Sequence, residues 1–388
     1  MGFVLVQILT GLSSAASLFL VAAGLSLIFG VTRVVNFAHG SFYMLGAYFG
    51  LTLVDLFGEL FGRGHLSFWA ALLGAALIVG AIGALVEIVI LRRIYRSPEL
   101  FQLVATFGVI LVIQDLALWG WGPEDQLGPR APDLRGAVMI FGEPLPRYDL
   151  VLIAAGPVVL VLLWLLLNKT RFGILVRAAT ADREMVGALG VNQAWLFTGV
   201  FFLGSFLAGL GGALQLPKGG ANLLMDFTVL AGAFVVVVVG GMGSIAGAFL
   251  AAVLIGQLQA WGVLLLPQST LVMMFLVMAV VLVIRPYGLL GRPELVGHGR
   301  QMLDDPMRPA SWRFIALGLA LVGALAAAPL YLGTYGIVLL IDILILALFA
   351  TALHAIIGPG GLVSFGPVSY THLTLPTSCP ECRSRWSR

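Results

Sequence analysis

Along the chain, long apolar runs alternate with short polar breaks, a rhythm that predicts membrane helices. A helix needs about 20 apolar residues to cross a bilayer core. Runs that meet or approach this length cover 4–31, 37–57, 66–91, 100–121, 149–168, 194–216, 244–266, 270–284, 313–333 and 337–357. A shorter run, 227–240, ends in Gly240-Gly241-Met242-Gly243-Ser244. It predicts a half-span or broken helix, which is tolerated at membrane depth only where other protein covers the freed backbone. The first run is too long for a cleavable leader and lacks a basic start, so it counts as a span. Gly204, Ala208 and Gly212 recur at four-residue spacing, as do Gly243 and Gly247. Such spacing lets helix backbones approach closely in lipid. The expected fold is all-α, a polytopic helical bundle with one broken or half-spanning helix.

Composition closes off the other classes. Of 388 residues, 60% are hydrophobic and 10% charged, against about 25% charged in an ordinary soluble domain. That leaves too little polar surface for a water-soluble globule, and the hydropathy excludes a disordered chain. Charge placement then predicts orientation. Arg92, Arg93, Arg96, Lys169, Arg171, Arg177, Arg183, Arg285, Arg292, Arg300, Arg308 and Arg313 fall in three loops that the span order puts on one side. Only Arg63, Arg130, Arg135, Arg147 and Lys218 fall on the other. The richer side is expected to be cytoplasmic, with the N-terminus outside and 122–148 an extracytoplasmic loop. No Gly-Lys-Ser/Thr occurs, so no phosphate-binding loop can form. If ATP is used, another subunit hydrolyses it. The chain itself is expected to be a transporter subunit and not an enzyme, without cofactor, metal or nucleic-acid partner.

A repeat is also visible. Gly30-Val-Thr-Arg-Val-Val-Asn-Phe37 returns as Gly358-Pro-Gly-Gly-Leu-Val-Ser-Phe365, each copy following a long apolar helix. A polar, Gly-containing break at membrane depth exposes backbone that can line a path or a helix junction. These residues carry a family resemblance. The stretch from Gly24 to Tyr48 resembles the opening of branched-chain amino acid ABC transporter permeases. So do Ala105-Thr-Phe-Gly108, Arg171-Phe-Gly173 through Ala213, and Val239-Gly-Gly-Met-Gly-Ser244. The likeness covers 1 to about 290. From 313 to 366 the chain resembles the start of the second permease of the same system, joined by a cytoplasmic linker at 291–312. After Pro367 the sequence turns polar, and 367–388 is expected to be non-native or disordered, with most of the second permease absent. Ser369-Tyr-Thr-His-Leu-Thr-Leu-Pro-Thr377 resembles translated adapter sequence.

The resemblance implies an ATP-driven importer subunit working by alternating access in the inner membrane of a prokaryote. It implies ABC ATPase subunits, a second permease and an extracytoplasmic substrate-binding protein as partners, with the lipid bilayer around it. The substrate class implied is branched-chain or related small amino acids, with urea or short amides as the alternative. In loop 169–193, Asp182, Arg183, Glu184, Gly187 and Gly190 resemble the coupling segment that docks an ATPase, a short helix ending in a Gly turn. The plain alternative is a charged loop obeying the positive-inside rule. Asn36, Phe37 and His39, with Gly240, Gly241 and Gly243, are the candidates for the translocation path or a helix break. Arg33 reads as an interfacial anchor, and His39 reads equally as a packing residue.

The remaining polar residues are weaker candidates. Glu87 reads as interfacial beside Arg92 and Arg93, and Asp115 and Asp226 as near the opposite edge. Asp342 and His354 receive no role. Cys379 and Cys382 have C-x-x-C spacing but no second pair, which argues against a zinc or redox site. An ion-driven transporter would want carboxylates or His at the bilayer midplane, and a non-transporting scaffold would need no polar breaks.

Overall fold

The computed structural model of the protein describes residues 1–95, 97, 99–265, 270–291, 312–328, 331 and 333–357. The chain divides into two units, Met1–Glu294 and Leu295–Arg388. In the first, α1 (Gly2–Thr32), α2 (His39–Phe61) and α3 (His65–Val86) follow one another. A π-helical segment, Glu87–Leu91, and the short α4 (Arg92–Ile94) prolong α3. Then come α5 (Glu99–Trp121), a hairpin of β1 (Ala137–Ile140) and β2 (Glu143–Pro146), and α6 (Arg147–Lys169). The short α7 (Arg171–Ala181) and α8 (Arg183–Ala188) precede α9 (Gln193–Gly219), α10 (Met225–Gly240), α11 (Ile245–Leu265) and α12 (Thr270–Ile284). The second unit contributes α13 (Trp312–Ala327) and α14 (Thr334–Ile357).

Eight helical stretches among the described residues are long and apolar enough to cross a membrane, and α10 is a shorter apolar helix. The protein is therefore a polytopic helical membrane protein, as the run lengths predict. Within the first unit, the most apolar windows of α1 and α9 are 83% and 72% buried, against 22–39% for its other spans. These two helices form the centre, and the rest line up around them.

The small residues of α9 make that centre possible. A Cβ on Gly212 would lie 1.9 Å from the Tyr43 carbonyl oxygen, and one on Gly46 would lie 2.1 Å from that of Gly209. A Cβ on Gly24 of α1 would lie 2.4 Å from the Gly204 carbonyl oxygen. Small residues in lipid let backbones touch where side chains would hold them apart. A second, smaller core of Leu27, Val31, Val176, Ala179, Val186 and Phe197 gathers at the Thr32 end of α1.

The hairpin is a departure from the sequence reading, which takes 122–148 as loop. Ala137–Ile140 pairs antiparallel with Glu143–Pro146, and the connecting Phe141 and Gly142 both have positive φ, 49° and 86°. Two positive-φ residues make the tight turn whose twist matches antiparallel strands. The strand residue Leu145 is fully buried, and Gly2 packs on the Phe141 carbonyl. The second copy of the repeat at 358–365, the tail from 367 and most of the linker lie outside the described residues.

Candidate functional site

Helix α1 ends at Arg33, whose φ of 56° lets its amide donate to the Phe29 carbonyl at 2.8 Å. A left-handed residue closes a helix in this way, usually as glycine. From there the chain runs back along α1. Asn36 forms a turn in which its Oδ1 accepts from the Ala38 amide at 3.1 Å. The His39 Nε2 then lies 2.9 Å from the Val21 carbonyl oxygen. Val21 stands eleven residues before Thr32, so His39 opens α2 about 16 Å inside the end of α1. Asn36 and His39 are both buried, and Asn36 Nδ2 and His39 Nδ1 have no hydrogen-bond partner among the described residues. Phe37 packs against Phe234 of α10, ring centroids 5.2 Å apart.

The first turn of α10 sits at the same level. Gly40 touches the backbone of Asp226, and a Cβ there would lie 2.3 Å from the Asp226 carbonyl oxygen. Asp226 Oδ2 accepts from Ser41 Oγ at 3.2 Å and from Gln114 Nε2 at 2.9 Å. Its Oδ1 accepts from the Phe227 amide at 2.7 Å. Asp226 is thus buried inside the bundle, not near a span edge as its place in the sequence suggests. The starts of two helices and a carboxylate meet at one depth, an arrangement found where discontinuous helices build a site.

Next to this junction lies a pocket of about 330 Å³, bordered by α1, α2, α11 and the link from α9 to α10. Its polar lining includes Ser17, Gln215, Lys218 and Asn222, and its apolar lining Leu18, Met225 and Val229. Lys218 Nζ donates to Asp149 Oδ1 at 3.0 Å and to Ser13 Oγ at 3.2 Å, and Ser13 donates to the same carboxylate at 2.9 Å. Asp149 is almost fully buried, so an unpaired charge there would be costly. Sequence reasoning did not weigh Asp149 and counted Lys218 as a loop cation. The available signal was a charge bordering each of two apolar runs.

At the other end of α1 stands a platform. Asp182 caps α8 by accepting the Met185 amide at 3.0 Å. The helix closes with Gly190 N–H on the Gly187 carbonyl at 3.0 Å and Val191 N–H on the Val186 carbonyl at 3.3 Å. That pair of bonds is a Schellman motif, and Gly190, at φ 83°, occupies the position that favours glycine. A Cβ on Gly187 would run into the Gln193 side chain, whereas nothing lies within 4 Å of one on Gly190. The side chains of Arg183 and Glu184 lie outside the described residues. Val176, Ala179 and Val186 fix α7 and α8 to the end of α1 and the start of α9, while Met185 and Leu189 stay exposed.

Beside the platform, Glu87 is fully buried in the π-helical segment. Arg92 Nη2 donates to its Oε2 at 3.0 Å, Thr198 Oγ1 donates to the same oxygen at 2.7 Å, and Tyr95 Oη donates to Oε1 at 3.3 Å. The sequence puts Glu87 beside Arg92, and the structure adds Thr198, which ties the end of α3 to the start of α9.

Gly240, Gly241 and Gly243 lie at this same end. The Leu289 and Leu290 amides donate to the Val239 and Gly240 carbonyls, at 2.8 and 3.1 Å, and Gly243 abuts Gly30. The three glycines form the corner between α10 and α11, apart from the junction of α2 and α10. Among the described residues, no group of three or more His, Cys, Asp or Glu is arranged to hold a metal.

Comparison with known proteins agrees with this architecture. The family model for the branched-chain amino acid transport system permease component matches residues 7–284. The permease protein BraD of Pseudomonas aeruginosa, from a high-affinity branched-chain amino acid transport system, is 28% identical over 298 residues. The match covers 74% of this chain and 96% of BraD. LivH of Escherichia coli K12, a permease of the same description, is 27% identical over 299 residues, 76% of this chain and 97% of LivH. LivM of Salmonella typhimurium is 27% identical over 256 residues, 60% of this chain and 58% of LivM. No solved structure matches the chain. With a bundle centred on α1 and α9, and a family model that spans that whole bundle, the chain belongs to the family of branched-chain amino acid transport permease components.

Proposed function

We propose that this chain is the membrane-spanning subunit of an ATP-driven importer of branched-chain or related small amino acids, moving substrate by alternating access. The observation that carries the reading is the α7–α8 platform. It is a capped, Schellman-closed short helix, bolted by an apolar core to the ends of the two central helices, with Met185 and Leu189 turned outward. A rigid element so mounted passes a push from an ATPase subunit directly into α1 and α9. In this reading Asp182, Gly187 and Gly190 shape the element, and Arg183 and Glu184 take part in the coupling. The platform faces the cytoplasm, an extracytoplasmic binding protein delivers substrate to the opposite face, and a second permease completes the path. Residues 1–290 form the first permease domain and 313–366 the start of a second, in the inner membrane of a prokaryote.

The test is Gly190→Leu in the complete complex with ATPase and binding protein. A Cβ at Gly190 would meet nothing within 4 Å among the described residues. The first added carbon therefore costs the fold mainly the left-handed backbone, about 1–2 kcal/mol. Leucine uptake is expected to fall at least tenfold while membrane abundance stays near normal. Uptake and ATPase binding at the unsubstituted level would remove the coupling assignment, and uptake that persists without the ATPase subunit would favour a gradient-driven transporter built on buried Asp226.

A further inference from the structure

We infer that the pocket beside Lys218 is a binding site within the permease for a small amino acid bearing a free carboxylate, which Lys218 holds. The inference deepens the import reading and rests on it. An ammonium has three N–H donors. Lys218 uses two of them, on Asp149 and Ser13, and the third is left for the pocket it lines. The side chain is one-third exposed while Asp149 is nearly buried, so the cation is the part of the pair that a ligand meets.

Charge bookkeeping selects the ligand class. The pocket is lined by a single cation and no carboxylate among the described residues, and Asp149 just beyond the wall neutralises that cation. A zwitterion therefore enters without changing the net charge of a site inside a membrane protein, where an added net charge is expensive. Gln215 and Asn222 supply amide oxygens whose second lone pairs accept from the ligand's ammonium, the first being taken by Ser17 Oγ at 3.3 Å and by the Leu224 amide at 3.1 Å. Leu18, Met225 and Val229 form the apolar part of the wall, with a methionine whose thioether adapts to branched side chains. The volume, about 330 Å³, sits at the small end of ligand pockets and suits one amino acid. A neutral amide such as urea accepts from the lysine through its carbonyl but lacks the carboxylate charge that makes the bond strong.

The pocket also has a floor. Tyr43 and Met225 line it; two residues before Tyr43 lies Ser41 and one after Met225 lies Asp226, and their hydrogen bond joins α2 to α10. Ligand seated at Lys218 thus rests on the junction that must part for it to move on.

The experiment uses the full chain with Cys379→Ser and Cys382→Ser, and a reporter Ser14→Cys in the pocket lining. The rate of labelling by a small water-soluble methanethiosulfonate is measured in membranes with leucine, leucinamide or acetamide present. Leucine is expected to slow labelling, while leucinamide and acetamide are not. Lys218→Arg should keep the protection. The double variant Asp149→Asn/Lys218→Gln removes both charges without stranding either, and should raise the leucine concentration for half-protection at least tenfold. A hydrogen bond to a charged group is worth about that factor or more. Equal protection by leucinamide, unchanged protection in the double variant, or no protection by leucine would each overturn the assignment. ATP-dependent uptake by the complete complex separates the two readings. Leucine uptake without protection removes the pocket alone, and absence of uptake of any amino acid removes the import reading.

Discussion

Two kinds of residue decide this structure one position at a time, glycines at helix crossings and charges buried in pairs. Gly212→Leu would drive a side chain into the Tyr43 carbonyl, 1.9 Å from the first added carbon. Backbone cannot rotate away as a side chain can, so the cost exceeds ordinary overpacking, which is about 1–3 kcal/mol. Thermal unfolding in detergent should show a markedly lower midpoint and little recovered protein. Gly108→Ala in α5 makes the contrast, because nothing lies within 4 Å of its added methyl. Its midpoint should hold or rise slightly, since alanine is the better helix former by up to about 1 kcal/mol. Glu87→Ala tests the second kind. It removes the only carboxylate that faces Arg92 among the described contacts, and with it one acceptor each for Thr198 and Tyr95. Breaking a fully buried pair costs about 3–5 kcal/mol, but Arg92 is 37% exposed and reaches water. A loss of about 1–3 kcal/mol is expected, read as a lower melting midpoint that Glu87→Gln partly restores. A midpoint within experimental scatter of the parent would mean the cluster contributes nothing to stability.

Elements show how far the chain announces itself. Membrane spans were readable because an apolar run of bilayer length has essentially one solution, a helix that satisfies its own backbone. The end of α10 at Gly240 was readable for the same reason, since the run stops short and glycines follow. The hairpin was not, although Phe141-Gly142 between the short runs at 137–140 and 143–146 carries a weak turn signal. Two four-residue strands fall below what periodicity resolves. Nor could the sequence place the start of α2 at the depth of Val21, because that depends on one histidine bond across eighteen positions. Asp226 was misplaced on the same ground, because a carboxylate at the head of an apolar run looks interfacial until Ser41 and Gln114 are seen around it. Helix α8 stands between these extremes. Its Asp182 cap and Gly190 stop are ordinary helix punctuation, and they account for two of the coupling candidates structurally. Asp182→Ala should therefore loosen α8 by about 1 kcal/mol. Hydrogen exchange at the Met185 amide reports this, with faster exchange there and no change in α9. Unaltered exchange at Met185 would show that the cap bond is not what holds the helix.

At the scale of the whole first unit, packing alone sorts the elements to two ends, before any charge is counted. The β1–β2 hairpin meets Gly2, and the loop ahead of it pairs Gln126 with Ala221 just past the end of α9. His65 at the start of α3 is paired with Asp133 of the same loop. At the opposite end, α7 and α8 share one core with the last turns of α1 and the first turns of α9, and Glu87 with Arg92 joins them there. The basic residues Arg92, Arg93, Arg171 and Arg177 belong to this second end. Geometry thus defines two faces, and the positive-inside rule selects which one is cytoplasmic. Single cysteines at Asp133 and Arg177, both exposed positions, test the two statements together. A membrane-impermeant maleimide added to intact cells should label Asp133→Cys and leave Arg177→Cys unlabelled until the membrane is opened. Labelling of both from outside would contradict the bundle itself, because no helix count consistent with it puts them on one face. Inverted labelling would leave the bundle standing but turn the α8 platform away from ATP. The coupling role of Gly190 would then have to be abandoned, and the Lys218 pocket would open toward the cytoplasm.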